Sequence, residues 1–291
     1  MKNKLMKNRL MKNRLMKNNN SNNNPDNIIM THSCGFFSNC SMRLFYIWEY
    51  FNKNNKLPIV VDSSRSFEWY KPNDRKNDDI TFEYFKDYNS IDIDGFNKNT
   101  SYHSDTQFTN YQDLDFNLYS PFIKKYFTPS NEINEIVEKI ESKYQINLID
   151  YNNICVLFYR GNDKIKETSI PTYDDTIAKA KEILNKNPNI KFLIQSDETE
   201  FIEKIQTEFE NTFYFVDEIR HMKKRCSTVD KVYKDKNYEF SKYYLAITII
   251  MSKCKYIICG SGNCSLWIVF FRENANNICQ NLNNKWIDNF E

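Results

Sequence analysis

Glycine is scarce in this chain. Only five occur in 291 residues, yet two of them stand within three positions of each other in KYIICGSGNCSLWI, residues 255–268. A turn that uses two glycines where so few are used elsewhere marks a place of close backbone approach. Histidine is scarcer still, with His32, His103 and His221 alone, and the eight cysteines form no CxxC pair and no cluster with histidine. Cys254, Cys259 and Cys264 are evenly spaced but have no histidine beside them, so the ligand spacing of a zinc site is missing. There is no signal-peptide core and no apolar run near the ~18 residues that a membrane helix requires. We therefore expect no metal site and no membrane span, and a soluble, cytoplasmic protein with free thiols.

Net charge is also small, at +2, but it is unevenly placed. Lys2, Lys4, Lys7, Arg9, Lys12, Arg14 and Lys17 all precede the first acid, Asp26, which leaves the rest of the chain net acidic. A broad nucleic-acid surface on the folded part is not expected. The opening MKNKLMKNRLMKNRLMKNNN repeats every five residues. At ~100° per residue that period carries Met and Leu around a helix instead of along one face. Residues 1–26 read as a disordered, basic, Asn-rich tail, and the composition fits an AT-rich genome such as a large DNA virus or a protist.

What is present beyond the tail is an alternation of strands and helices. IIMTHSC reads as a strand, GFFSN as a turn, CSMRLFYIWEYFNK as a helix and LPIVVDSS as a second strand. Residues 65–128 are aromatic, polar and irregular. NEINEIVEKIESKYQI (131–146) places Ile133, Ile136, Val137 and Ile140 at helical spacing. NICVLFY, IKFLIQ, FYFV and KYIIC read as four buried strands, separated by helices at 172–188, from 198 onward and at 238–254, with NCSLWIVFF as a last helix. Thr172 is the predicted N-cap of the first of these. Trp48 and Trp267 are predicted core residues. Alternating strands and helices predict an α/β fold with parallel sheet.

Ligands of such sheets bind beyond the carboxyl ends of the strands. Here those ends are predicted at Arg160, Asp197, Asp217 and Gly260, converging on one crevice. The GSGN turn at a helix start predicts free amides for an anion, and Arg160 supplies a planar fork for phosphate oxygens. A diphosphate is the expected ligand. Asp92-Ile93-Asp94 is an isolated carboxylate pair in the irregular region and is not read as a metal site.

FYRGNDK (158–164), QSDE (195–198), CGSGNCSLW and the N-terminal CGFFSNCSMRL together resemble the ordered motifs of the α1,2- and α1,6-fucosyltransferase and protein O-fucosyltransferase superfamily. The resemblance spans roughly residues 30–270. It implies a GT-B architecture, two Rossmann-like domains facing a cleft. Residues 27–145 would form the acceptor-side domain, 146–280 the nucleotide-sugar domain and 281–291 a C-terminal tail. It implies transfer of a sugar, fucose first, from a GDP-linked donor to a glycan or glycoconjugate hydroxyl, inverting and without metal or other cofactor. Carried over by position, Arg160, Asp163, Lys164 and Glu167 would be catalytic. Arg160 would hold the leaving diphosphate, with Lys164 near the same charge, and Glu167 would be the base. Gly35, Asn39, Arg160, Asp197, Ser261, Gly262, Asn263, Cys264 and Ser265 would bind the donor. His32 lies beside the first glycine loop. This chain departs from the pattern at Phe158, where the family has histidine, and at Gly161, where it has a second arginine. The late helix LAITIIMSK has no acid. The alternative is a non-catalytic nucleotide- or glycan-binding protein on the same fold.

Overall fold

The computed structural model describes residues 26–98 and 102–290. The basic repeat lies outside these residues. In the N-terminal half, β1 (Asn27–His32) and β2 (Val60–Ser66) pair in parallel, with helix α1 (Phe36–Asn54) between them in sequence. Parallel strands need a crossover of this kind, because a tight hairpin cannot connect them. Helix α1 starts at Phe36, so GFFSN belongs to the helix and its cap and is not a separate turn. Phe36 and Phe37 are buried, and packing their rings fixes that start. The rest of this half is short helical turns followed by α2 (Phe116–Phe127) and α3 (Asn131–Lys143). Ser130 caps α3 by accepting from the Ile133 amide.

The C-terminal half is a six-stranded sheet: β3 (Ile154–Tyr159), β4 (Lys191–Ser196), β5 (Thr212–Phe213), β6 (Tyr256–Gly260), β7 (Ile278–Leu282) and β8 (Lys285–Ile287). Its order is β5-β4-β3-β6-β7-β8, parallel except for the β7–β8 pair. Helices α4 (Tyr173–Lys186), α5 (Thr199–Glu208), α6 (Asn237–Lys253) and α7 (Asn263–Arg272) follow in the sequence positions predicted. Every residue of β3 is buried, as a strand covered on both faces must be. Thr172 and Asp175 form a reciprocal capping box at α4. FYFV is a strand only at its first residue; the chain leaves the sheet after Phe213.

The two halves share one apolar core. Trp267 of α7 lies 4.6 Å from the Phe127 ring and 6.1 Å from Phe37, and its indole N–H donates to the Ser41 hydroxyl at 2.9 Å. Trp48 and Trp267 are both core residues, as predicted. No helix among the described residues is long and apolar enough to cross a membrane. The architecture is the expected α/β with parallel sheet, and the N-terminal half contributes one β-α-β unit with a two-stranded sheet.

Candidate active site

The strand order reverses between β3 and β6. From β3 the chain moves outward through β4 to β5, then begins again at β6 and moves the other way to β7. The carboxyl ends of β3 and β6 therefore flank a topological switch point, where open α/β sheets place their ligands. Arg160 follows β3 and the GSGN turn follows β6, so the two predicted anion-binding features lie side by side.

Arg160 spans that gap. Its Nε donates to Asp197 Oδ2 at 3.0 Å, one terminal nitrogen to Cys264 Sγ at 3.3 Å, and the other to Asp163 Oδ1 at 3.4 Å. Burial opposes its charge, but Asp197 and the groups beside it more than offset this and hold the proton more tightly than in water. Asp197, buried at the end of β4, also accepts the Gly161 amide at 3.0 Å. Burial pushes the Asp163 carboxyl above its ordinary range; Arg160 opposes the shift, while Asp197 and Glu167 add to it. Lys164 donates to Glu167 at 2.6 Å, and its ammonium lies 5.2 Å from the Phe108 ring centre. It also presses on the turn: a β-carbon on Gly262 would stand 2.8 Å from Lys164 Cε. Lys164 meets the turn with the flexible end of its side chain, which can shift; the backbone at 262, with φ +159°, is what calls for glycine.

The turn differs from the open cradle that its sequence suggests. Ser261 N donates to Asn281 O at 3.1 Å, Gly262 N to the Tyr111 hydroxyl at 3.1 Å, and Asn263 N to Gln107 Oε1 at 3.0 Å. Three of the five amides from 261 to 265 are therefore already engaged by protein oxygens. Ser265 turns its hydroxyl inward onto Gly260 O at 2.6 Å and lies 2.8 Å from the Tyr111 hydroxyl. The Asn263 side chain accepts from Ser41 at 2.7 Å, tying the turn to α1. Of this segment, Cys264 is the side chain that meets Arg160.

Across from the turn, Gly35 caps α1, and the Phe36 amide donates to the Tyr70 hydroxyl at 2.7 Å. Asn39 is fully buried and fixes its own loop: it donates to Cys34 O at 2.8 Å and accepts from Phe67 N at 3.1 Å. It is thus fully occupied within the protein. His32 is held by Ser38 at 3.0 Å, and burial lowers its affinity for a proton. Burial raises the Cys34 thiol above its ordinary value; the Glu167 charge adds to the rise and Lys231 opposes it.

Asp217 does not join the other strand ends. It is exposed and pairs with Lys143 at 2.7 Å. Because β5 ends at Phe213, the chain has already turned away by that point, and Glu218, Ile219 and Arg220 line the crevice instead. Motif and spacing assign no role to several residues that organise this region. Glu198 accepts from the Asn162 amide and from Tyr173, at 2.6 and 2.5 Å. Tyr70 donates to Asp230 at 3.1 Å, and Asp230 in turn accepts from Arg220 at 2.6 Å. The Tyr70–Asp230–Arg220 relay joins the halves over the crevice. Tyrosines in irregular segments carry no periodic signal, so Tyr70 and Tyr111 could not be read from spacing. A larger depression of about 390 Å³ lies at the opposite, amino end of the sheet, by Asn153 and Lys191.

No family model matches this sequence, and no curated protein matches it. Solved structures do match in fold. The fucosyltransferase NodZ from Bradyrhizobium aligns over 90% of this chain and 98% of its own, with 11% identity and a TM-score of 0.52. NodZ α-1,6-fucosyltransferase co-crystallised with GDP aligns over the same shares, with 10% identity and a TM-score of 0.51. In a third structure, the same enzyme soaked with GDP-fucose, the alignment spans 56% of this chain and half of the other, at 12% identity and a TM-score of 0.36. On the two full-length alignments, this chain has the fold of the NodZ fucosyltransferase structures.

Proposed function

We propose that the protein is a glycosyltransferase that moves a sugar, with fucose the leading candidate, from a nucleoside diphosphate to an acceptor hydroxyl. The observation that carries this is the position of Arg160. A charged planar fork stands at the sheet's switch point, 3.3 Å from the first turn of α7 at Cys264. A cation and a helix N-terminus both favour an anion at this place. The GDP of one full-length structural neighbour supports a GDP-linked donor.

In this scheme Arg160 stabilises the diphosphate as the bond between the anomeric carbon and its oxygen breaks and the electron pair leaves on that oxygen. Lys164 adds charge from the side. Glu167, half exposed, stands beside Lys164 at the edge of this cluster. There it takes the acceptor's hydroxyl proton as the oxygen attacks from the opposite face, giving inversion without a metal. Residues 27–145 would then meet the acceptor and 146–280 the donor.

A specific observation favours the second reading, a non-catalytic nucleotide- or glycan-binding protein: three turn amides are occupied by Tyr111, Gln107 and Asn281. Thermal-shift titration with GDP, UDP, dTDP and CDP, with and without EDTA, tests what the two readings share. Saturating ligand at ~100 times its Kd should add about 2.7 kcal/mol of stability. Stabilisation that is indifferent to EDTA and lost in Arg160→Ala supports a donor site. No shift with any diphosphate rejects it.

A further inference from the structure

Beyond Arg160 the crevice runs between the end of β4 and helix α6, and its walls include Ile219, Val229, Phe240 and Ile247. A ligand whose diphosphate lies on Arg160 would direct its other end into this apolar slot. The polar groups that line it are nearly all spoken for. Asp197 is held by Arg160 and the Gly161 amide. Glu218 accepts from Lys143 and Tyr144, both at 2.7 Å. Asp230 is shared by Arg220 and Tyr70, and the Ser196 hydroxyl accepts the Glu198 amide at 3.0 Å.

Two lining groups are not: the Tyr244 hydroxyl and the Gln195 side-chain oxygen. Gln195 is the one that carries an acceptor and two donors. It is the fifth residue of β4, only 6% exposed, and it lines the crevice, yet among the described residues no donor reaches its Oε1. A buried acceptor without a donor is costly, and the cost is relieved when a ligand N–H meets it. A primary amide carries an acceptor and two donors together, the pattern that pairs with the edge of a nucleobase. The crevice has a volume of about 50 Å³, room for more than one water. We propose that Gln195 reads the base of the donor nucleotide. This rests on the donor site proposed above.

Titration calorimetry tests it on the full chain, with GDP, UDP, dTDP, CDP and inorganic pyrophosphate, comparing wild type with Gln195→Met. Methionine is close in volume, so the slot stays filled. The expected result is about a tenfold loss of affinity for the preferred nucleoside diphosphate, with pyrophosphate binding unchanged; the retained pyrophosphate site also shows that the variant is folded. Unchanged affinity for the nucleotide would overturn the role of Gln195 and leave the donor site standing. Equal losses for nucleotide and pyrophosphate would overturn it too, as general damage to the site. If wild type binds neither ligand, the donor site fails and the inference fails with it.

Discussion

Gly161 lies so close to Glu198 that a β-carbon built on it would stand 2.1 Å from the Glu198 carboxyl carbon. Glu198 is fully buried, held by the Asn162 amide and Tyr173. The carboxyl group fills the space that any side chain at 161 would need, so a second arginine after Arg160 has no room here. Gly161→Ala should therefore cost about 1–3 kcal/mol through overpacking. Combining it with Glu198→Ala should cost less than the sum of the single changes, because the clash is shared. Thermal unfolding of the two single variants and the double variant measures this; strict additivity would contradict it.

Tyr111 is the seal of the GSGN turn. Its hydroxyl meets the Gly262 amide and carbonyl and the Ser265 hydroxyl. Tyr111→Phe keeps the ring and removes those bonds, leaving buried groups unpaired. A loss of about 1–3 kcal/mol is expected in urea unfolding. A neutral result would mean that the turn holds itself without the tyrosine.

Two histidines make stability depend on pH. Burial lowers the proton affinity of His32 and of His221 in the folded chain. Below the unfolded imidazole value of ~6.5, the unfolded state takes up protons that the folded state resists. Stability therefore rises with pH through the window at and just below that value, and acidification removes it. Unfolding free energies at pH 7 and pH 5.5 should differ more for wild type than for His32→Gln. Equal slopes would exclude His32 as a source.

Glu167 separates binding from chemistry. Glu167→Gln should lower turnover by about 10²–10⁴, the range for loss of a positioned base, and leave GDP affinity within twofold. If GDP affinity falls instead, Glu167 acts on the donor by orienting Lys164, its partner at 2.6 Å.

Much of this fold was legible in the sequence because its strongest signals are local. ICVLFY, FLI and YIIC are unbroken apolar runs, and all lie buried in the central strands. Thr172 was readable as a cap because capping needs only a side-chain oxygen and the next turn of helix. β7 and β8 were not legible. Their sequence ICQNLNNKWI is polar, and the strands exist because Gln280 turns inward to Ser261, Thr109 and the Tyr111 amide. Asn283 and Asn284, both at positive φ, make the two-residue hairpin that joins them. The site was legible as chain order: Arg160, Asp163, Lys164 and Asp197 do cluster, and Gly262 does sit against Lys164. What occupies the turn was not legible, because Gln107 and Tyr111 come from an irregular segment some 150 residues earlier, and no periodicity announces a long-range hydrogen bond.

The most direct measurement of the central claim is release of GDP from GDP-fucose, followed over time with and without an acceptor sugar and in the presence of EDTA. The account predicts release by the wild type that EDTA leaves unchanged and that Arg160→Ala lowers by about 10²–10³, the range for loss of a group that stabilises developing negative charge. Tight GDP binding with no release from GDP-, UDP-, dTDP- or CDP-linked sugars would contradict it and establish the chain as a binding protein on a transferase fold.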